Sequence, residues 1–419
     1  MTVSHMSHPV FPRLPQAARP SFEAVFSYGF RPFFLGSAVY AALAMAAWMA
    51  WIASAAAGWS QSWLPVAGSP FAWHAHEMVF GFAGAAIGGF LLTAVPNWTG
   101  ALPLSGLPLV LLFAAWLVGR VAMGFSALMP YPLAAALDVL FLPVLGAFAA
   151  RQLFIRPALR NLVFLALLAA MTLCNVLFHL GNAGYLTVDP LAAIRAGVLI
   201  VVVMIAIIGG RIIPAFTHNW FHGKHASTPM PQRLPWLDKI ALVSLVLFAA
   251  IDAGGGTTWL VGIAALIAAL SNGARLVLWR GIFTREEPIV WILHVGYAWI
   301  VVGLGLAALS AFTEAVSSVL VSHALGTGAV GTMIIAVMSR ASLGHTGRRL
   351  IAPRTIVWAY YLVTLAAVLR VAGPLIAPQH YTTALTGAAL AWIGAFALFA
   401  YVYAPILTTP RVHTKVLRP

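Results

Sequence analysis

The sequence predicts an all-α polytopic membrane protein with twelve transmembrane helices, and three observations predict it. Of its 419 residues, 62% are hydrophobic and only 8% charged, whereas a soluble domain carries about 25% charged residues. Apolar runs of about 20 residues, the length that crosses a hydrocarbon core, recur along the whole chain. The Lys and Arg residues cluster in alternate connections between those runs. Such a composition excludes a soluble enzyme, a disordered regulator and a secreted disulfide scaffold. The single cysteine, Cys174, excludes an internal disulfide and any CxxC site.

Taken in order, the spans are placed at 32–54, 73–95, 106–125, 131–150, 158–180, 190–215, 235–252, 257–279, 288–310, 319–340, 353–373 and 383–406. Short connections rich in Pro and Gly join them, such as Pro96-Asn97-Trp98 and Gly254-Gly255-Gly256. Residues 1–31 contain no h-region of a signal peptide and form an N-terminal cytoplasmic segment. Residues 32–406 make one transmembrane domain, and 407–419 a cytoplasmic tail. Arg13, Arg19 and Arg31 precede the first span. Arg151, Arg156 and Arg160 lie around connection 4–5, Lys224, Arg233 and Lys239 around 6–7, and Arg280 and Arg285 in 8–9. Arg348, Arg349 and Arg354 lie in 10–11, and Arg411, Lys415 and Arg418 in the tail. Connections 1–2, 3–4, 5–6, 7–8, 9–10 and 11–12 carry no Lys or Arg. The positive-inside rule then puts both termini in the cytoplasm. The net charge of +14 is a topology signal, and no nucleic-acid partner is expected.

Thirteen histidines are many for so apolar a chain. His5, His8, His222, His225, His380 and His413 fall in termini or connections and read as solvated, as does His218 in the polar stretch after span 6. Six others lie in spans or at their ends: His74, His76, His179, His294, His323 and His345. A lone histidine at such a position usually makes a structural hydrogen bond. Six together point to metal or haem ligation, since imidazole is the commonest metal ligand and intramembrane ionisable groups are costly. The topology puts His74, His76, His179 and His323 at the outer level and His294 and His345 at the inner level. His323 and His345 are 345−323 = 22 residues apart, roughly 33 Å along a continuous helix, so one metal cannot bind both. In Trp73-His74-Ala75-His76-Glu77, positions i and i+2 of a regular helix point about 200° apart. His74 and His76 are therefore expected to serve different partners, as the H-x-H of haem-copper oxidases does.

Arg120, Asp138, Arg195 and Arg370 lie in the outer halves of spans 3, 4, 6 and 11. Arg120 and Asp138 most simply form an ion pair. The arginines left over could bind the propionates of a haem, with Arg195 and Arg370 the main candidates and Arg120 a further one. Glu77 could cap a helix N-terminus or carry protons to a redox centre as a catalytic group. Arg211, Arg275 and Arg340, nearer the inner face, read as snorkelling side chains. Cys174 reads as a small buried hydrophobe.

An internal echo links spans 2 and 10. Aligning His76 with His323 superposes Gly81 on Gly328, Gly84 on Gly331 and Thr99-Gly100 on Thr346-Gly347, at a constant offset of 323−76 = 247. Gly88-Gly89 has a fainter match in Gly209-Gly210 of span 6. Recurrence every four helices suggests three four-helix units in a pseudo-threefold layout like that of the haem-copper oxidase catalytic subunit.

Several stretches resemble the NnrS family of bacterial membrane proteins: Phe26-Ser27-Tyr28-Gly29-Phe30-Arg31-Pro32-Phe33-Phe34, Trp73-His74-Ala75-His76-Glu77-Met78 running to Thr99-Gly100, and Asn175 to His179. His294-Val295-Gly296-Tyr297-Ala298-Trp299 and His323 through Ser339-Arg340-Ala341-Ser342-Leu343-Gly344-His345-Thr346-Gly347-Arg348 extend the likeness over nearly the whole chain. The resemblance implies a protein of the bacterial inner membrane that contains haem and copper and is associated with denitrification and resistance to nitric oxide. The six selected histidines fall in its motifs.

The leading expectation is a redox protein with one or two b haems and copper that binds nitric oxide and reduces or detoxifies it, an oxidoreductase of the nitric oxide reductase type. The four outer histidines are expected to form the reactive site, and His294 with His345 a second centre. A quinol or a redox protein would supply electrons, and membrane lipid surrounds the helices. The alternatives are a transporter of haem, copper or a small metabolite, and a membrane sensor of nitric oxide.

Overall fold

A computed structural model describes residues 19–412 except 61–62, 156–158, 225–229 and 314. Most of the expected N-terminal segment and of the tail, with His5, His8, His225, His413, Arg13, Arg156, Lys415 and Arg418, lies outside the described residues.

Twelve long helices follow the expected order: α1 (Phe30–Ala56), α2 (Pro70–Thr99), α3 (Leu107–Gly124), α4 (Tyr131–Ile155), α5 (Val163–Asn182) and α6 (Pro190–Lys224). Then come α7 (Pro235–Ala253), α8 (Thr258–Leu278), α9 (Pro288–Phe312), α10 (Ser318–His345), α11 (Arg354–Ile376) and α12 (Tyr381–Thr408). Among the described residues, eleven helices are long and apolar enough to cross a membrane. The remaining one, α7, has 19 residues and a length of roughly 28 Å. It carries Asp238 and Lys239 near one end and Asp252 near the other, which lowers its apolarity without shortening it. Asp238 is compensated by Arg275 at 2.8 Å and Arg233 at 2.9 Å. The chain is a multi-pass, all-helical membrane protein.

Local chemistry sets the helix ends. Proline occupies the first turn of α2, α3, α4, α7 and α9, where its missing N–H leaves no donor unsatisfied. α2 stops at Gly100, which takes the left-handed conformation (φ 66°) that a helix C-cap requires. α6 runs past the expected limit of 215 to Lys224, because Pro214 is accommodated inside the helix. His218 is therefore helical, and it is exposed beside His222.

At the centre of the bundle α2, α6 and α10 pack on one another. α1, α3 and α4 surround α2; α5, α7 and α9 flank α6; α9, α11 and α12 flank α10. The three central helices are four apart in sequence, as the expected pseudo-threefold layout requires. α2 is the most enclosed of the spans, with 83% of its apolar window buried. The ring closes where α12 meets α1. There Arg31 is buried and donates to the carbonyls of Leu407 at 2.9 Å and Thr409 at 2.6 Å. Beyond its topological meaning, Arg31 thus satisfies terminal carbonyls of α12.

The echo between spans 2 and 10 is structural. α2 and α10 each contain a π-helical segment, Glu77–Ala83 and Ala324–Gly331, starting at the residue after the aligned histidine. The starts differ by 324−77 = 247, the offset read from the sequence, and the two segments touch. Both copies end alike: Thr99 Oγ1 donates to Val95 O and Thr346 Oγ1 to Ser342 O, at 2.9 and 2.6 Å. Gly100 and Gly347 then both take positive φ. π segments are rare and frequent at functional sites; here each one directly follows a histidine.

Candidate functional site

The two histidines at the start of α2 go to opposite sides of that helix. His74 lies against a cavity of about 480 Å³ at the charge-poor end of the bundle, together with His323 of α10, Arg195 of α6, Arg370 of α11 and Tyr381 of α12. The His74 ring stacks on Trp48 of α1, with centroids 4.7 Å apart and planes 9° from parallel. Its Nδ1 is buried with no hydrogen-bond partner. His323 Nδ1 donates to Val319 O, one turn back, at 2.7 Å. That bond fixes the ring and leaves the Nε2 lone pair available, as ligating imidazoles require. A Cβ placed on Gly326, which lines the cavity, would meet nothing within 4 Å. The cavity thus offers two imidazoles from two central helices, room between them and two guanidinium groups, which are the parts needed to hold a flat, anionic, iron-bearing ligand.

Arg195 also lines an adjoining polar cavity of about 290 Å³ with Asp252, Ser310, Ser318 and Ser322. Asp252, in the last turn of α7, is a carboxylate neighbour of Arg195 that the sequence reading did not supply. Arg120 does not join these arginines.

On the other side of α2, a buried charged cluster forms around His76. Its Nδ1 lies 2.8 Å from Glu77 Oε1, and its Nε2 lies 2.9 Å from Asn175 Oδ1 and 3.2 Å from Asp138 Oδ2. Arg120 donates to Glu77 Oε2 at 2.6 Å and to Asp138 Oδ1, and Tyr40 also donates to Glu77 Oε2. His179 Nε2 meets Asp138 Oδ2 at 2.9 Å, while its Nδ1 meets the Tyr131 hydroxyl at 2.9 Å. Asn182 Nδ2 donates to that hydroxyl, and Asn175 Nδ2 donates to Asp138 Oδ2 at 2.8 Å. His76, Glu77, Arg120, Asp138, Asn175 and His179 are all buried. Among the described residues, His76, Asp138 and His179 are the one group of three whose donor atoms lie close enough together for a metal ion.

Several expectations are corrected. Glu77 is no N-terminal cap: it lies seven residues into α2, at the start of the π segment, fully buried. The four outer histidines are two pairs, His74 with His323 and His76 with His179, because α2 separates them. His294 and His345 are not brought to a common partner. His294 Nε2 lies 2.9 Å from the Thr217 hydroxyl, whereas His345 packs on Tyr28 and Phe30. Arg275 does not snorkel but is buried between Asp238 and the Tyr297 hydroxyl. Arg211 donates to Asn161, and Arg340 lies 3.6 Å from the Phe216 ring centroid. Cys174, by contrast, is buried with a free thiol as expected.

Sequence reasoning did not select Tyr40, Asn175, Tyr131 or Asn182. Two signals were present: Asn175 is four residues before His179, on the same helix face, and Tyr131 is two turns before Asp138.

Fold and site together define a multi-pass helical membrane protein with a histidine- and arginine-lined cavity and a buried His–carboxylate cluster flanking one helix. The chain matches the NnrS protein family over residues 24–411, and it belongs to that family. A comparison with curated proteins gives no match.

Proposed function

We propose that the protein is a haem-containing redox protein of the bacterial inner membrane, with both termini cytoplasmic, that binds nitric oxide and reduces or detoxifies it. The observation that carries this reading is the cavity that His74 and His323 share with Arg195 and Arg370. His323, fixed through its Nδ1, would give Nε2 to the iron, and His74 is the second imidazole available there. Arg370 and Arg195 would pair with propionates. A haem held there would supply a redox-active iron able to bind a diatomic ligand. The chain's own part is to hold it between α2 and α10 and to exclude bulk water. The family's association with nitric oxide supports the choice of ligand, and a quinol or redox protein is the expected electron donor. Copper is the other cofactor that the family resemblance implies.

The purified protein is expected to show a Soret band. His323→Ala is expected to remove or shift it, and His74→Ala to change it, while His222→Ala leaves it unaltered. A colourless, folded wild-type protein after gentle purification would favour a transporter instead. With haem present, anaerobic nitric oxide consumption with a reduced donor no faster than free haem would leave a binding protein rather than a reductase.

A further inference from the structure

In the cluster on the far side of α2, both ring nitrogens of His76 face oxygen acceptors. Asn175 Nδ2 donates to Asp138 Oδ2, which fixes the amide so that its Oδ1 faces His76 Nε2 at 2.9 Å. The other neighbour of that nitrogen is Asp138 Oδ2 at 3.2 Å. His76 Nδ1 in turn faces the Glu77 carboxylate. Two carboxylates, Glu77 and Asp138, stand against the single guanidinium of Arg120, all buried. The second carboxylate needs a further positive charge in this buried medium, which either a protonated His76, in contact with both carboxylates, or a bound cation would supply.

The spacing of the same atoms fits a metal. His76 Nε2, His179 Nε2 and Asp138 Oδ2 lie within 4.8 Å of one another, and Asp138 Oδ2 is 3.2 and 2.9 Å from the two nitrogens. Ligands about 2.1 Å from one ion are about 3.0–3.4 Å apart in octahedral or tetrahedral geometry. The second polar atom of each ligand is also held from outside. Glu77 holds His76 Nδ1, Tyr131 holds His179 Nδ1, and Arg120 holds Asp138 Oδ1. Such outer partners orient metal ligands and set their tautomers.

We propose that His76 Nε2, His179 Nε2 and Asp138 Oδ2 bind one divalent first-row transition-metal ion, with Asn175 Oδ1 as a fourth ligand. Two imidazoles, a carboxylate and an amide oxygen make a mixed nitrogen and oxygen donor set of the kind such ions take. A set without sulfur takes a divalent ion in preference to Cu(I). The site shares no residue with the cavity of His74 and His323, so it stands whether or not that cavity holds haem.

The test uses the full chain without a polyhistidine tag, stripped with chelator in detergent and titrated with Co²⁺. Its d–d absorption reports coordination, and the metal is counted per chain. One tightly held, Zn²⁺-displaceable Co²⁺ per chain is expected. His179→Ala should abolish that binding. Tyr131→Phe, which removes only the partner of His179 Nδ1, should weaken it about 10–100-fold. The paired change His218→Ala with His222→Ala, at the exposed histidines, should leave it intact, and so should His323→Ala. The proposal is overturned if tight Co²⁺ survives His179→Ala, if it vanishes with the exposed pair, or if wild-type protein of normal helix content binds none.

Discussion

Arg120→Ala is expected to be the most destabilising single substitution in the bundle, by about 3–5 kcal/mol, the cost of breaking a buried ion pair from one side. Arg120 is only 5% exposed and donates to both Glu77 and Asp138. Its removal leaves two carboxylates with His76 and His179 as their remaining basic neighbours in a space shielded from water, so a carboxylate must take up a proton or the helices must part. α3 and α4 pack directly on each other, and this cross-link ties them to α2, so the loss reaches the centre of the fold. Arg120→Lys is expected to recover only part, because the donors of an ammonium share one nitrogen and lack the span of the guanidinium, whose Nη1 and Nη2 meet separate carboxylates. Arg120→Ala combined with Glu77→Gln should be more stable than the single change, with a coupling of more than about 1 kcal/mol in a double-mutant cycle. Thermal unfolding in detergent, followed by helix content, checks this. Wild-type stability in Arg120→Ala would mean that the cluster does not hold α2, α3 and α4 together.

The sequence made this fold legible because a membrane imposes two simple rules. Apolar length marks each helix, and Lys and Arg mark alternate connections. Even α7, with its three charged residues, reads as an apolar run at 235–252, and the charge alternation supports the count. The opposite facing of His74 and His76 followed from helix geometry alone. The pairing across helices was less legible. Periodicity says which way a residue points, but not which neighbour it meets. Thus His179 went with His76 and His323 with His74, although depth had placed all four together. Asp138 was read as the partner of Arg120, which it is; its second oxygen, turned towards two histidines, depends on how α4 and α5 pack. Arg275 misled for a related reason: a basic residue near the inner face has the same sequence signature whether it snorkels or meets an Asp238 on the preceding helix.

The π segment of α10 provides a sharper test of the cavity, through two glycines that should respond in opposite ways. Gly326→Phe is expected to leave the fold within about 0.5 kcal/mol of wild type and to exclude the cofactor. A Cβ at Gly326 meets nothing within 4 Å, and the position lines the cavity, so the new ring has only that space to enter. Substitutions that disturb no packed neighbour change stability little. At Gly328, two residues on, a Cβ would lie 2.5–2.8 Å from the Trp299 ring of α9. Gly328→Ala is therefore expected to destabilise by about 1–3 kcal/mol, the usual effect of overpacking, with no direct change to the cavity. Its counterpart in the repeat, Gly81, is equally tight, at 2.6 Å from Tyr40 Cε1 and 3.0 Å from both Arg120 Nη1 and Glu77 Oε2. Small residues at these two positions let each π segment press against its neighbour, which keeps the preceding histidine in phase with its site. Haem content and thermal unfolding measured together separate the outcomes. If Gly326→Phe binds haem at the wild-type level while remaining folded, the haem lies elsewhere, and the assignment of His74 and His323 falls with it.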